Sequence, residues 1–345
     1  MLVRSRTVMP PADDFTLLLN RTRLKLSYVV PESLELHVEN DTELRAGDYL
    51  GTAQAQAEAA HPTRSYWDLQ STWLDGDRRR ITNDFFRAYA KASIGPVDVK
   101  AGRQRIAIGT GRLWSTLDML NPLNPLQIER DEYVGVDAAL AELRMASLSK
   151  LSLAYAPLPG SADPRWVGAW RTHVGEADVN LTAARYWGDH LAGLDLATQV
   201  GGIGVRAEFT GTWPRHGTRY VSTTIGGEYA FENTLTVSVE AYYSSQPLRE
   251  RRGQFLTEPS RAQAQPAGTR YVGFTGSYEF TPLLKTTAMW LANLNDHSRF
   301  ASVSLAWSAS DNLLLQGGVQ RFFGDDDSEY GRGQPLAYLQ LQWFF

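Results

Sequence analysis

The sequence predicts an all-β chain that crosses a membrane as an antiparallel, up-and-down β-barrel. Three observations predict it: apolar residues recur at every second position, most alternating segments run about 10–13 residues, and Trp and Tyr gather near their ends. Successive side chains on a strand point to opposite faces, so each segment has one apolar and one polar side. Soluble strands average ~5–6 residues, whereas a tilted membrane crossing needs ~9–11. Tyr and Trp favour the boundary between apolar interior and polar headgroups.

The period is clearest in three stretches. Ile203, Val205, Ala207, Phe209, Gly211 and Trp213 alternate with residues that include Arg206, Glu208, Thr210 and Thr212. Leu235, Val237, Val239, Ala241 and Tyr243 alternate with Thr236, Ser238, Glu240, Tyr242 and Ser244. Ala301, Val303, Leu305 and Trp307 alternate with Ser302, Ser304, Ala306 and Ser308. The end-placed aromatics are Tyr28, Trp166, Trp187, Trp213, Tyr229, Phe231, Tyr243, Phe280 and Trp307.

In chain order, strands are expected near 15–29, 33–46, 83–95, 97–108, 134–147, 149–157, 165–175, 177–188, 191–201, 203–214, 218–231, 233–246, 269–281, 283–295, 299–309, 312–323 and 335–345. Short connections such as Gly95-Pro96 and Gly175-Glu176 alternate with long ones at 47–80, 109–132, 157–165, 247–268 and 324–334. Membrane barrels have short inner turns and long outer loops, and counting back from an inward-running last strand puts every short turn on the inner side. Seventeen strands is an odd number, whereas single-chain bacterial barrels have an even one. A strand upstream of Met1 is therefore expected to be missing, or residues 1–12 supply a poor one. Eighteen strands is the first reading and 16 the second, sizes that enclose an aqueous channel.

The composition agrees. A soluble chain of 345 residues would suggest two domains, but a barrel can take up the whole length, and 1–345 is read as one domain. Mean hydropathy is -0.31 and no run nears the ~18 apolar residues of a membrane helix, as expected when lipid meets only alternate residues. A net charge of -4 and the lack of a basic tail give no case for nucleic acid. The absence of Cys excludes disulfides, thiolate metal sites and covalent c-type haem from this chain. Met1 to Arg6 has no apolar core of a signal peptide, so a trimmed form or a misplaced start is expected.

Parity assigns the polar face to the lumen. Early strands would contribute Arg21, Arg23, Lys25, Arg87 and Lys91, the 33–46 strand Glu35, His37 and Glu39, and later strands Glu228, Glu240 and Glu279. A base-rich wall facing an acidic one would set a transverse field across the bore, although cross-strand pairing of the same charges explains them too. Arg103 and Arg105 share parity with Val97 and Val99, which suggests a bulge in the 97–108 strand.

The most distinctive stretch runs from Ala101 through Gly109-Thr110-Gly111-Arg112-Leu113-Trp114 to Asp118, Asn121-Pro122 and Asn124-Pro125. Its Leu113, Trp114, Leu117, Met119, Leu120 and Leu123 need cover, which an inward-folded constriction loop at 109–132 would give; a loop packed on the rim is the alternative. Arg112, Trp114, Asp118 and Asn121 are its candidate site residues. The Gly-Arg-Gln strand, the Gly-x-Gly-Arg-x-Trp turn and the Asp-x-x-Asn-Pro loop resemble porin-like and alginate-export-like barrels of Gram-negative outer membranes. Asn20 to Leu26 followed by Leu34 to Glu39 resembles their first hairpin. The last strand, with Ala337, Leu339, Leu341, Trp343 and Phe345 on one face, resembles the terminal strand that the barrel assembly machinery reads. The resemblance implies an outer-membrane location and passive transport of a small hydrophilic or anionic solute.

Other chemistry is weaker. None of His37, His61, His173, His190, His216 and His297 pairs at metal-ligand spacing, and Gly109 to Gly111 lacks the remainder of a nucleotide fingerprint. No catalytic set stands out, so neither an enzyme nor a cofactor is expected. Asp325, Asp326, Asp327 and Glu329 read as a solvated acidic tip, or as a Ca²⁺ or lipopolysaccharide bridge. Arg249, Arg251, Arg252 and Arg261 are weak candidates for lipopolysaccharide contact. Lipid, lipopolysaccharide and a small solute are the expected partners, with a homo-oligomer or a periplasmic partner left open. The competing function is a structural sleeve round a partner such as a multihaem cytochrome, which would need an unobstructed bore.

Overall fold

The structure is a computed structural model that describes residues 1–8, 13–31, 33–59, 65–121, 124–129, 135–146, 148–158, 163–186, 188–247 and 266–345. The expectations placed on His61, Pro122, Leu123, Trp187, Arg249, Arg251, Arg252 and Arg261 lie outside the described residues. The strands are β1 Leu2–Arg6, β2 Asp14–Val30, β3 Leu34–Gly47, β4 Gln70–Asp75, β5 Arg79–Ile94, β6 Val97–Gln104, β7 Val136–Ala146, β8 Ser149–Ala156, β9 Arg165–Val174 and β10 Ala177–Tyr186. They continue as β11 Asp189–Val200, β12 Ile203–Trp213, β13 Tyr220–Ala230, β14 Thr236–Ser244, β15 Arg270–Thr281, β16 Leu284–Asn293, β17 Arg299–Ser310, β18 Leu313–Phe323 and β19 Leu336–Trp343.

With β4 left aside, each strand pairs antiparallel with the next in the chain, β3 with β5, and β1 pairs with both β2 and β19, so the ring closes with eighteen strands. Closure leaves no continuous sheet edge facing the surroundings, the condition for a sheet to span lipid. All seventeen expected strands are present to within a few residues. The eighteenth comes from residues 2–6, the second of the two sources that the odd count left open. Tight hairpins hold the register: Val200 pairs with Ile203 across Gly201-Gly202, whose φ values of 56° and 83° suit a two-residue turn with left-handed central residues.

The barrel is inside-out relative to a soluble protein. Leu24 and Leu26 of β2, Phe209 of β12, Ile225 of β13, Val303 and Leu305 of β17, and Leu339 and Leu341 of β19 are all exposed on the outer surface. Tyr28, Trp166, Trp213, Tyr229, Phe231, Tyr243, Phe280 and Trp307 are exposed as well, as an aromatic girdle requires. Water would not tolerate so continuous an apolar belt, whereas hydrocarbon solvates it. No helix of the described residues is long and apolar enough to cross a membrane.

Two features position the lumen contents. β6 stops at Gln104, and β4 takes its place against the outer half of β5: Gln70 pairs with Asp84 and Asp75 with Arg80, while β6 pairs with β5 from Ala88 to Ile94. The chain beyond β6 is thereby free to leave the wall. The long connection before β4 also carries a 3-10 turn, Asp48–Gly51, and a short helix, α1 Ala53–Ala59, neither of which alternation foretold.

The bulge expected in β6 is absent from its pairing, which runs in unbroken register with β5 and β7. A register shift sits instead between the neighbouring β3 and β5, where Glu39 faces Arg87 but Asn40 faces Phe85. Arg103 is 4% exposed and held by Asp137 at 2.9 Å, Asp84 at 3.1 Å and the Trp67 carbonyl at 2.6 Å. Its charge is buried because it is paired and fully hydrogen-bonded.

Candidate functional site: the inward loop and the lumen wall

After Gln104 the chain turns into the barrel and attaches in succession to β12, β14, β18, β19 and β2. The wall carboxylate of Glu208 on β12 accepts the N–H groups of Thr110 and Gly111 at 2.6 Å each, Thr116 at 2.6 Å and Leu117 at 3.3 Å. It also accepts the hydroxyls of Ser115 at 2.9 Å and Thr116 at 3.2 Å. Glu240 on β14 accepts the N–H groups of Arg112, Leu113 and Trp114 at 2.8, 3.0 and 2.7 Å. Successive N–H groups of a tight loop form an anion-binding concavity, and here the anion is a side chain of the wall. Farther along, Gln320 of β18 donates to the Leu126 carbonyl at 3.1 Å. Glu129 is bonded to Gln340 of β19 at 2.6 Å and to Arg21 of β2 at 2.7 Å.

Apolar contacts complete the seating. Leu113 and Trp114 pack with Tyr242, Tyr271, Leu291 and Phe300, joined by Tyr330 from the 324–335 connection. Leu117 and Leu120 pack with Ile106, Ile108, Val136, Tyr186 and Leu191. Two wall glycines make room: a Cβ at Gly193 would run into Leu117, and one at Gly273 into Leu113. Within the loop, Ile106 N–H donates to Asn121 at 2.7 Å, Asn121 N–H to Asp118 at 2.9 Å and Asp118 N–H to the Ser115 hydroxyl at 2.9 Å. Burial pushes the Asp118 carboxyl up to about 8. Arg112, Trp114, Asp118 and Asn121 thus all sit in a loop docked inside the barrel, with Trp114, Asp118 and Asn121 buried and Arg112 reaching Glu228 at 2.9 Å.

The expected lumen charges mostly meet partners. Arg21 lies 3.3 Å from Glu43 and Arg23 2.6 Å from Asp41, each pair spanning β2 and β3. Lys25 lies 4.0 Å from Glu39, which His37 also approaches at 3.0 Å. Glu35 accepts the Tyr89 hydroxyl at 2.9 Å, Arg87 donates to the Phe86 carbonyl at 2.8 Å, and Lys91 lies 3.7 Å from Asp98. Glu228 also meets Arg206 at 3.6 Å, and Glu279 meets Lys285 at 3.4 Å. Glu240 corrects the parity reading: it points inward but is 3% exposed, covered by the loop it holds. Glu329 is likewise no solvated tip. It accepts the Tyr271 hydroxyl and an Asn293 amide hydrogen at 2.8 Å, and burial raises its pKa.

Two of the spaces left among the described residues lie toward the short turns. One is a recess of about 220 Å³ bounded by Arg105 to Ile108 of the loop and by the wall from β6 to β10. Lys100, Arg105, Lys150 and Arg171 line it against one carboxylate, Glu142. Lys150 sits directly opposite Arg171 in the register of β8 and β9, and Lys91 opposite Lys100 in that of β5 and β6. Glu142 reaches Lys150 at 2.6 Å, and the Lys100 ammonium lies 4.2 Å over the Tyr89 ring. The other space is a vestibule of about 800 Å³ between loop residues 111–129 and the wall from β13 to β19. Sequence reasoning did not single out Glu208, Lys100, Lys150 or Arg171, although these three cations each stand close to a turn on an alternating strand.

No protein-family model matches the chain, and no curated protein sequence does. Solved structures do. Pseudomonas aeruginosa OccK5 (OpdH) aligns with a TM-score of 0.58 at 10% identity, over 99% of this chain and 97% of that one. Pseudomonas aeruginosa OpdK with vanillate aligns with a TM-score of 0.57 at 9% identity, over 99% and 96%. Acinetobacter baumannii OccAB1 aligns with a TM-score of 0.57 at 10% identity, over 99% and 94%. At such identities the likeness is one of fold, and it extends over the whole barrel.

Proposed function

We propose that the chain is a passive channel of a bacterial outer membrane that admits small hydrophilic anions, with the 109–132 loop as its constriction. The observation that carries this reading is the Lys150–Arg171 pair. Like charges directly opposite on neighbouring strands destabilise a sheet, and these two face a recess where Lys100 and Arg105 add to the same sign. Such a wall draws anions and repels cations. The fold likeness to OpdK, solved with the small carboxylate vanillate, supports the same reading. A sleeve round a haem-bearing partner is disfavoured, because the loop that attaches to β12, β14, β18, β19 and β2 obstructs the bore. Lipid and lipopolysaccharide surround the belt, and β19 with Phe345 just beyond it is the segment the assembly machinery reads. The test is the reversal potential of the refolded protein in a planar bilayer under a salt gradient. Anion preference is expected, and Arg171→Glu should move it toward cations. A cation-selective wild type, or a folded barrel without conductance, would sink the proposal.

A further inference from the structure

Along one arc of the wall, from β15 round to β1, the apolar belt gives way at its outer end to exposed arginines. Each shares a face with exposed apolar residues of its own strand: Arg270 with Phe274, Arg299 with Val303, Arg321 with Val319 and Phe323, and Arg4 and Arg6 with Leu2. Side chains of a strand alternate between faces, so these arginines point out of the barrel, away from the lumen. Register fixes their height. Arg270 stands directly opposite Tyr243 and Arg299 directly opposite Phe323, both exposed aromatics. Rings of that girdle sit at headgroup level, and the guanidinium groups lie in the same tier.

Arg6 is answered by Asp14 at 3.0 Å. Among the described residues the other four arginines have no ion-pair partner, although Asp325, Asp326 and Asp327 begin two residues beyond Phe323. Arg299, Arg321 and Arg4 each face an alanine across a strand pair, Ala292, Ala301 and Ala337, so no bulky side chain fills that side of them. The far wall is different: Arg185 and Arg215 both meet Asp163, at 2.9 and 2.8 Å. At the inner end of the same arc the outward side chains are apolar, among them Phe280, Trp307, Leu341 and Trp343. The arc is therefore cationic at one face of the membrane only.

A guanidinium fork matches the oxygens of a phosphate, and basic clusters beside a bilayer attract anionic headgroups. We infer that the outer end of β15 to β1 is a binding surface for the phosphorylated lipid anchor of lipopolysaccharide, its phosphates on Arg270, Arg299, Arg321 and Arg4 and its acyl chains on the apolar wall below. The inference concerns the outside of the barrel and stands whatever the bore conducts.

The refolded barrel, in a neutral detergent, is mixed with bisphosphorylated lipid A or with its dephosphorylated form, and the retained lipid is counted by native mass spectrometry. Bisphosphorylated lipid A is expected to be retained several-fold better. A triple variant, Arg270→Gln, Arg299→Gln and Arg321→Gln, should lose most of that excess, whereas Arg185→Gln with Arg215→Gln on the far wall should keep it. Equal retention of the two lipids by the wild type would overturn the inference, and that comparison needs no variant to fold. So would a folded triple variant with an undiminished excess, or an equal loss in the far-wall variant. Oligomers that form without lipid and need the same arginines would assign the arc to a second copy of the chain, and would overturn it too.

Discussion

Six donors from one stretch of loop converge on the carboxylate of Glu208. Hydrogen bonds to a charged acceptor contribute about 1.5–3 kcal/mol each when the alternative is a buried, unpaired donor. Glu208→Ala should therefore loosen the loop by at least about 2–3 kcal/mol, seen as larger and noisier single-channel currents. Glu240→Lys should unseat the loop as well, so its effect on conductance should exceed its effect on ion preference. A free wall charge would give the reverse. Asp118 supplies a pH handle. Its folded pKa of about 8 lies above the ordinary carboxylate value, so the docked state holds the proton and the released state loses it at lower pH. Docking is then strongest below about pH 4 and weakens as pH rises toward 8. Hydrogen exchange of loop amides should show that trend, and Asp118→Asn should flatten it. Parity in the sequence placed both Glu208 and Glu240 on the polar face. It could not say which inward carboxylates are covered, because that depends on the path of a loop with no period.

Among the elements, those with a strict two-residue period and full length were legible, and the exceptions are physically explicable. β1 is five residues long and places Arg4 and Arg6 at the parity of Leu2, so it carries no apolar signature. β4 is exposed along its whole length and has no face to betray it. It exists because β6 ends early and leaves one edge of the outer half of β5 open, the other being paired with β3. The loop's need for cover was legible from its apolar content, and its docking sites on the wall were not. Gly273 reads in sequence as one more weak strand residue, yet Leu113 occupies the space a side chain would need. Gly273→Val should push the loop off that wall while the barrel still folds. Altered conductance with unchanged heat-dependent gel migration would check it, and an unaffected channel would mean that the loop has room to spare.

On the scale of the whole molecule, the outer belt makes the barrel a membrane protein. Val303 stands midway along β17 with Ala288 and Val319 beside it. Val303→Arg should cost about 2–4 kcal/mol if that position lies at the bilayer midplane, measurable by reversible folding into vesicles. The belt was the most legible feature of the sequence, because alternation, strand length and aromatic placement all report on one surface. The lumen was less legible, since its polar face tolerates many residues and its meaning comes from pairs such as Lys150 and Arg171, which meet only once the register is fixed.

The closing seam has a mechanical consequence. β1 meets β19 through three register positions, Leu2 with Leu339, Val3 with Tyr338 and Arg4 with Ala337, whereas β11 and β12 meet through eleven. A ring under tension parts at its weakest rivet, so this seam sets the strength of the hoop however firmly the other strands are zipped.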